Sequence, residues 1–300
     1  MARIIDGTEI SRVMREELAR EVAALRAAGV TPGLSVVLVG NNPASQAYVA
    51  SKTRACETLG MHGQTLNLPE NVSKEELFAV IDRLNADPAV HGILVQLPLP
   101  AHLPYKAVLE HIHPDKDVDG FHPLNAGLAF VGDPRAFVPC TPAGIMEMLR
   151  REGIPTRGKH AVIVGRSLIV SKPLASLLMA PGPDATVTLT HRHTVDLASF
   201  TRQADILIVA VGKQNLITAD MVKPGVVVID VGQNRVPDES SPRGYRMVGD
   251  VDFAAVSEKA EAITPVPGGV GPMTITMLLA NTIQAARQVQ PAREGPGSQR

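Results

Sequence analysis

LSVVLVGNNPASQAYVASKTRACETLG, residues Leu34 to Gly60, reads as a strand, a turn and a helix in that order. Leu34 to Val39 is a short, nearly continuous apolar run, as expected of a strand buried on both faces of a parallel sheet. Gly40, Asn41, Asn42 and Pro43 form a turn, and Ser45 is placed to cap the helix that follows. On that helix Tyr48 and Lys52 stand four apart, just over one turn, so the phenol and the ammonium project from one face. Such a face carries a hydrogen-bonding group and, if the ammonium's pKa is lowered, a group able to shuttle a proton at neutral pH. An exposed helix whose Tyr packs along a Lys stem would show the same spacing, so the choice rests on the rest of the chain.

The alternation extends in both directions. Upstream, Ile10, Val13, Met14, Leu18, Val22 and Leu25 keep helical spacing up to Gly29. Downstream, a second strand is expected around Gln64 to Leu68, and Ser73 with Glu76 forms a capping-box pair ahead of Leu77, Val80, Ile81 and Leu84. GILVQ, Gly92 to Gln96, is another buried strand, broken by Pro98 and Pro100. Strand and helix alternate, which predicts a parallel α/β unit. Ligand crevices in such sheets lie beyond the carboxyl ends of the strands. Asn41–Pro43, Gln96-Leu97-Pro98 and the loop DKDVDG, Asp115 to Gly120, are all placed to reach that crevice.

Composition narrows the class. With 45% hydrophobic and 20% charged residues over 300 positions, the chain is expected to be globular, with ample length for a core. A net charge of −1 gives no general attraction to nucleic acid or anionic membrane, and aromatics at 3% without Trp argue against a base-stacking surface. No apolar run approaches the roughly 20 residues of a bilayer span, and MARIIDGTEI has no signal-peptide core, so the cytoplasm is expected. Cys56 and Cys140 alone offer no disulfide framework. The pairs His111/His113 and His191/His193 lack the accompanying ligands of a metal site, so no metal is expected.

The second half opens a new unit. Thr141 is placed to cap a helix with Pro142 at its first position, running through Ile145, Met148 and Leu149 to Gly153. Ala161 to Val164 leads into Gly165-Arg166-Ser167-Leu168-Ile169-Val170-Ser171 and another helix; Val187–Leu189, Ile206–Val211 and Val226–Val231 supply further strands. A glycine turn between strand and helix lets a phosphate approach backbone N–H groups. As a fingerprint it is incomplete, and a structural turn fits equally well. After the next strand come His191-Arg192-His193 where a carboxylate would hold a free ribose 2′-OH; this charge, with Arg166, favours NADP if the site is real, and is otherwise a solvated basic loop. Glu239 to Arg243 reads as a surface loop tip. Pro265 to Pro272, PVPGGVGP, is a rigid, backbone-exposing loop before a helix carrying Ile275, Leu278, Leu279 and Ile283.

Four stretches together carry a resemblance: PASQAYVASKTRACETLG; GILVQLPLP with HPDKDVDGFHPLNAG; VPCTPAGI with GRSLIVSKP; and ITPVPGGVGPMT. From about Ile4 to Ala286 the chain closely resembles the bifunctional methylenetetrahydrofolate dehydrogenase/cyclohydrolase enzymes. Short-chain dehydrogenases also use Tyr-x-x-x-Lys, but there the glycine fingerprint precedes the pair, whereas Tyr48 and Lys52 come well before Gly165. The resemblance implies a two-domain α/β protein with folate in the cleft between domains. Residues 1–140 would form a parallel α/β folate-binding domain, completed by a returning C-terminal helix at 272–290. Residues 141–271 would form a Rossmann-like NADP-binding domain, and 291–300 a disordered tail. It further implies Lys52 as catalytic lysine, Tyr48 lining the folate site, Gln96 orienting the lysine and Asp119 holding the pterin. Leu97 and Pro98 line the folate site beside Gln96, and Pro272 and Thr274 fall in a loop closing over the folate. Gly165, Arg166, Ser167, Ser171, His191, Arg192 and Gln233 lie on the cofactor side. A homodimer is implied as well.

Two departures stand out. Ser171 occupies the second glycine of the family's Gly-Arg-Ser-x-x-Val-Gly-x-Pro turn, and Gln233 replaces the Ile of its Val-Gly-Ile-Asn strand end, beside the nicotinamide. The implied chemistry is NADP-dependent oxidation of 5,10-methylene-tetrahydrofolate to the methenyl form, then hydrolysis to 10-formyl-tetrahydrofolate. The alternative is a monofunctional dehydrogenase or cyclohydrolase of the same family, the other activity weakened by Ser171 or Gln233.

Overall fold

The protein, seen in a computed structural model, is described over residues 1–241 and 244–289. The tail expected at 291–300 lies outside the described residues, as do Pro242 and Arg243 of the expected loop tip. In chain order the first half contains β1 (Arg3–Ile4), α1 (Gly7–Ala27), β2 (Gly33–Val39), α2 (Pro43–Thr58) and β3 (His62–Leu68). It continues with α3 (Lys74–Ala86), β4 (Gly92–Val95), α4 (Tyr105–His111) and α5 (Pro123–Val131). The second half contains α6 (Cys140–Arg151), β5 (His160–Val164), α7 (Ser171–Met179), β6 (Thr186–Thr190), α8 (Leu197–Thr201) and β7 (Ile206–Val209). It ends with β8 (Val227–Asp230), β9 (Asn234–Pro237), β10 (Tyr245–Val248), α9 (Phe253–Ser257), β11 (Ala262–Ile263) and α10 (Val270–Gln288).

Contacts divide the chain into two compact units. Among the described residues, one holds Arg15–Asn125 and the chain from Leu278 to residue 289; the other holds Met1–Met14 and Ala126–Met277. In the first, β3, β2 and β4 form a parallel sheet with β2 in the middle. Every residue of β2 is buried, which is why its sequence is apolar but for Ser35 and shows no alternation. Ser73 Oγ accepts from Glu76 N while Glu76 Oε2 accepts from Ser73 N at 2.9 Å, closing the capping box of α3. Leu77, Val80, Ile81 and Leu84 then bury one face against Val37, Ile93, Val108 and Ile112. From Leu278 on, α10 packs on this unit: Asn281 Nδ2 donates to Val118 O at 2.8 Å. A Cβ on Gly92 would lie 2.8 Å from Val118 and 3.1 Å from Thr282, so only glycine admits both neighbours. On α2, Cys56 is wholly buried, and that burial pushes its thiol up to about 12.

The other unit is built on a parallel sheet in the order β1-β11-β8-β7-β5-β6. The strand order reverses between β5 and β7, the switch point where α/β sheets open a crevice for ligand. Beside it, β9 and β10 form an antiparallel hairpin. Residues 1–14 join this unit because Arg3 and Ile4 pair with Ala262 and Ile263. This contact-defined division therefore runs differently from boundaries at 140/141 and 271/272, cutting instead within α1, α5 and α10. A two-residue strand has no hydrophobic pattern to read, so the role of the amino terminus was not visible in sequence.

Two expected helix caps are corrected. Ser45 does not cap α2, which starts earlier at Pro43, where a fixed φ and a missing N–H suit the first position. Asn42 Oδ1 instead accepts from Ser45 N at 3.2 Å. Nor does Thr141 cap α6: the helix begins at Cys140 with no side-chain cap from Pro139, and Thr141 Oγ1 lies 3.0 Å from Thr274 Oγ1.

Candidate active site

Helix α2 leaves the carboxyl end of β2, and the Gln96–Pro98 segment leaves that of the neighbouring strand β4. This topology brings together two residues 44 positions apart: Lys52 Nζ donates to Gln96 Oε1 at 3.0 Å. The orientation of the Gln96 amide is fixed independently, because its Nε2 donates to Leu97 O at 2.7 Å and so turns Oε1 toward the lysine. Lys52 is 6% exposed, and its ammonium lies 4.7 Å from the centroid of the Tyr48 ring. Tyr48 and Lys52 thus share a face of α2, but the face is turned inward: the exposed-helix reading is excluded. Leu97 is half-buried and Pro98 exposed beside Gln96.

In DKDVDG the two aspartates take different positions. Asp119 is half-buried, whereas Asp117 is 2% exposed. Asp117 accepts from Phe121 N (3.2 Å), His122 N (2.8 Å) and Asn125 Nδ2 (2.9 Å), tying the loop to the start of α5. Burial, with a smaller contribution from the charge of Asp119, outweighs these donors and lifts the Asp117 carboxyl to about 7. Asp117 and Asn125 are structural partners that the sequence reading missed; nothing in the letters separates two aspartates on either side of a valine.

In the other unit, Gly165 follows β5 with φ +137°, and a Cβ there would meet Ala210 O at 2.5 Å and Ser171 Oγ at 2.8 Å. This close approach requires glycine. Ser167 Oγ accepts from Val170 N and Ser171 N at 3.1 and 3.2 Å, shaping the turn into α7. Ser171 is fully buried, so its hydroxyl faces Ser167 and Gly165 rather than solvent. Arg166 and Arg192 are exposed, and Arg192 Nε donates to His193 Nε2 at 3.0 Å. His191 is half-buried, its N donating to Thr194 Oγ1. Among the described residues no three His, Cys, Asp or Glu side chains are grouped to hold a metal ion.

Gln233 is exposed and lines a cavity of about 470 Å³ with Thr8, Gly232 and the segment Pro265–Pro272. Pro272 and Thr274 are not in a loop, as expected, but in the first turns of α10, which begins at Val270. The glycines end the loop sooner than their number suggests, because Gly271 already has helical neighbours. Tyr48, Lys52, Gln96, Leu97, Pro98 and Asp119 therefore belong to one unit; Gly165, Arg166, Ser167, Ser171, His191, Arg192, Gln233, Pro272 and Thr274 belong to the other.

Comparison with known proteins fits this arrangement. Residues 5–119 match the model of the tetrahydrofolate dehydrogenase/cyclohydrolase catalytic domain, and residues 139–290 that of the corresponding NAD(P)-binding domain. The chain belongs to the tetrahydrofolate dehydrogenase/cyclohydrolase family. It is 90% identical over 290 residues to the bifunctional protein FolD 1 of Myxococcus xanthus, covering 97% of this chain and 99% of that one. The crystal structure of the bifunctional FolD dehydrogenase/cyclohydrolase of Campylobacter jejuni superposes with a TM-score of 0.91 at 49% identity, over 96% of this chain and 99% of that one. The Trypanosoma brucei enzyme, complexed with NADP cofactor and inhibitor, gives 0.91 at 42% identity, over 96% and 98%. Within the family's catalytic-domain match lie Tyr48, Lys52, Gln96 and Asp119, and within its NAD(P)-binding match lie the Gly165 turn, Arg192 and Gln233. No helix among the described residues is long and apolar enough to cross a membrane.

Proposed function

We propose that this chain oxidises 5,10-methylene-tetrahydrofolate with NADP and hydrolyses the methenyl product to 10-formyl-tetrahydrofolate, with Lys52 moving the protons of the second step. The observation that carries this reading is the buried Lys52 ammonium held by Gln96 Oε1 at 3.0 Å over the Tyr48 ring. Addition of water to the methenyl cation releases a proton; opening of the resulting carbinolamine then places a proton on the ring nitrogen and releases the hydroxyl proton, so one proton leaves overall. A lysine Nζ fixed at one position takes the proton of the water as the neutral amine and, as the ammonium, delivers one to the nitrogen. Gln96 aims that nitrogen, while Tyr48 covers it and offers its phenol to substrate. The half-buried Asp119 is suited to accept hydrogen bonds from the pterin amino group and ring N–H. Leu97 and Pro98 supply apolar contact beside Gln96.

NADP, when bound, supplies the hydride acceptor for the first step. The residues present fit it: the Gly165 turn packs tightly against Ala210 and Ser171 between β5 and the N-terminus of α7, where a pyrophosphate would meet backbone N–H groups, and Arg166 and Arg192 place positive charge suited to a 2′-phosphate. Because the Ser171 hydroxyl is buried, it adds no bulk to the outer face of the turn, which favours the bifunctional reading over a cyclohydrolase alone. A cytoplasmic homodimer belongs to the same proposal, the location supported by two buried cysteines in no disulfide and the dimer by the family resemblance. Light scattering on a sizing column checks the dimer.

The test follows NADPH formation from methylene-tetrahydrofolate and, separately, loss of methenyl-tetrahydrofolate absorbance. Wild type is expected to show both. Lys52→Met keeps the stem without the exchangeable proton and is expected to lower hydrolysis by roughly 100-fold or more. Near-normal hydrolysis by that variant would end the assignment of Lys52.

A further inference from the structure

Two buried aspartates outside the residues assigned above organise the cofactor-side unit. Asp250 is 0% exposed, follows β10, and gathers four donors. Its Oδ2 accepts from Val211 N and Gly212 N at 2.7 and 2.8 Å; its Oδ1 accepts from Lys213 N at 2.9 Å and Asn234 Nδ2 at 2.8 Å. Asp230, 3% exposed, ends β8. Its Oδ1 accepts from Gly232 N and Asp250 N, both at 2.9 Å, and its Oδ2 from Val251 N at 3.0 Å. The Asp230 N–H in turn donates to Thr264 Oγ1 at 2.8 Å, just before the Pro265–Pro272 segment.

The fit around this pair is close. A Cβ on Gly232 would sit 2.3 Å from Asp250 Oδ1, and one on Gly249 would sit 1.8 Å from Asp230 Oδ2. The two carboxylates thus join the loop after β7, the loop after β8 that carries Gln233, the base of the β9–β10 hairpin and the exit of β11. These are the carboxyl ends of the sheet, where a nucleotide's reactive end would lie. Burying two carboxylates this close together is costly unless their hydrogen bonds fix something. What they fix is the wall that contains Gln233, whose Nε2 stands 3.1 Å from where a Cβ of Gly271 would be.

We infer that Asp230 and Asp250 are positioning residues for hydride transfer, holding loops 211–213 and 232–233 in the one arrangement that seats the nicotinamide end of NADP. The inference rests on the proposed dehydrogenase reading and on the placement of Gln233 beside the nicotinamide that the family resemblance implies, at the carboxyl ends of this sheet. A side chain that merely stabilises the fold would lower both activities in proportion to the folded fraction. A positioning role instead separates hydride transfer from hydrolysis, and kcat from cofactor binding.

The full-length enzyme is assayed as wild type, Asp250→Asn and Asn234→Ala, the second removing one strap without touching a buried charge. For the folded variants, dehydrogenase kcat is expected to fall roughly tenfold or more. The kinetic isotope effect with methylene-deuterated substrate is expected to rise as hydride transfer becomes limiting. The Kd for NADP, measured by fluorescence or calorimetry, is expected to change less than about threefold, because the Gly165 turn is untouched, and methenyl hydrolysis is expected to stay near wild type. Wild-type kcat and isotope effect in folded Asn234→Ala and Asp250→Asn would overturn the inference, as would equal losses of both activities. Gln233→Ala keeps the two readings apart. If it alters the isotope effect while Asn234→Ala and Asp250→Asn do not, Gln233 stands and the positioning role falls. If the reverse holds, the carboxylates position the 211–213 loop and the assignment of Gln233 falls.

Discussion

At the scale of single residues, what a carboxylate does depends on its water and its donors rather than on its letter. Asp117 accepts three hydrogen bonds yet is lifted to about 7, since burial costs its charge more than the donors return. The folded-state value lies above the unfolded one near 3.8, so the stabilisation it contributes is complete below that value and lost as pH rises through about 7. Compared with Asp117→Asn, the wild type is therefore expected to gain stability as pH falls from 8 to 5, by about 2–3 kcal/mol across the window. Melting temperatures of both proteins across that range check the sign; a constant difference would contradict it. The sequence presents Asp117 and Asp119 as equivalents, and only the burial of one distinguishes them. The helical interval of four puts Tyr48 and Lys52 on one face without long-range knowledge but leaves their role open, whereas the bond to Gln96, implied by the resemblance, depends on the neighbouring of β2 and β4.

At the scale of elements, legibility followed the strength of local signals. β2 and α3 emerged nearly as expected, because a strand apolar but for Ser35 and a complete capping box each leave one reading. The start of α2 was misplaced because Asn42, Pro43 and Ser45 all carry N-terminal preference, and Pro43 at the first position prevailed. β1, β11 and the β9–β10 hairpin escaped, being two to four residues long and defined by partners far away in sequence. The Gly165 turn was ambiguous as letters, and φ +137° with Ala210 O against its missing Cβ resolves the need for glycine. Gly165→Ala must open this turn. Its KM for NADP is expected to rise by roughly tenfold or more, with methenyl hydrolysis changed less than about twofold. Loss of hydrolysis in a folded Gly165→Ala protein would show that the turn's role is wider than the cofactor.

At the scale of the whole molecule, the proposed function separates its chemistry by unit: proton transfer is assigned to α2 and the segment after β4, nucleotide contacts to the ends of β5 to β8. The family resemblance conveyed this division sooner than hydrophobic pattern could, since alternation of strand and helix is the same in both halves. The contact boundaries, running through three helices, have no sequence signature at all. Both reactions use the same folate, so damage to its recognition should not discriminate between them. Asp119→Asn replaces a carboxylate that can accept from two pterin donors with an amide that cannot accept both. NADPH formation and methenyl hydrolysis are expected to fall together by roughly ten- to a hundredfold, the scale of a lost charged hydrogen bond. A fall in one activity alone would give Asp119 a step-specific role.

The buried cysteines make the protein its own stopwatch. Cys56 sits one helical turn beyond Lys52 on α2 in one unit, and Cys140 starts α6 in the other, both in no disulfide and both buried from solvent. Only a thiolate that meets water reacts with an alkylating reagent, and the Cys56 thiol, held up at about 12, has neither property in the folded state. Alkylation is therefore expected to be slow at neutral pH without denaturant, and each modified thiol records one opening of its own helix. Pulsed labelling with peptide mass spectrometry reads both clocks in one sample. Substrate analogues that engage Lys52 are expected to slow Cys56 more than Cys140, and NADP the reverse; rapid labelling of Cys56 in the unperturbed enzyme would show that the lysine-bearing helix opens freely.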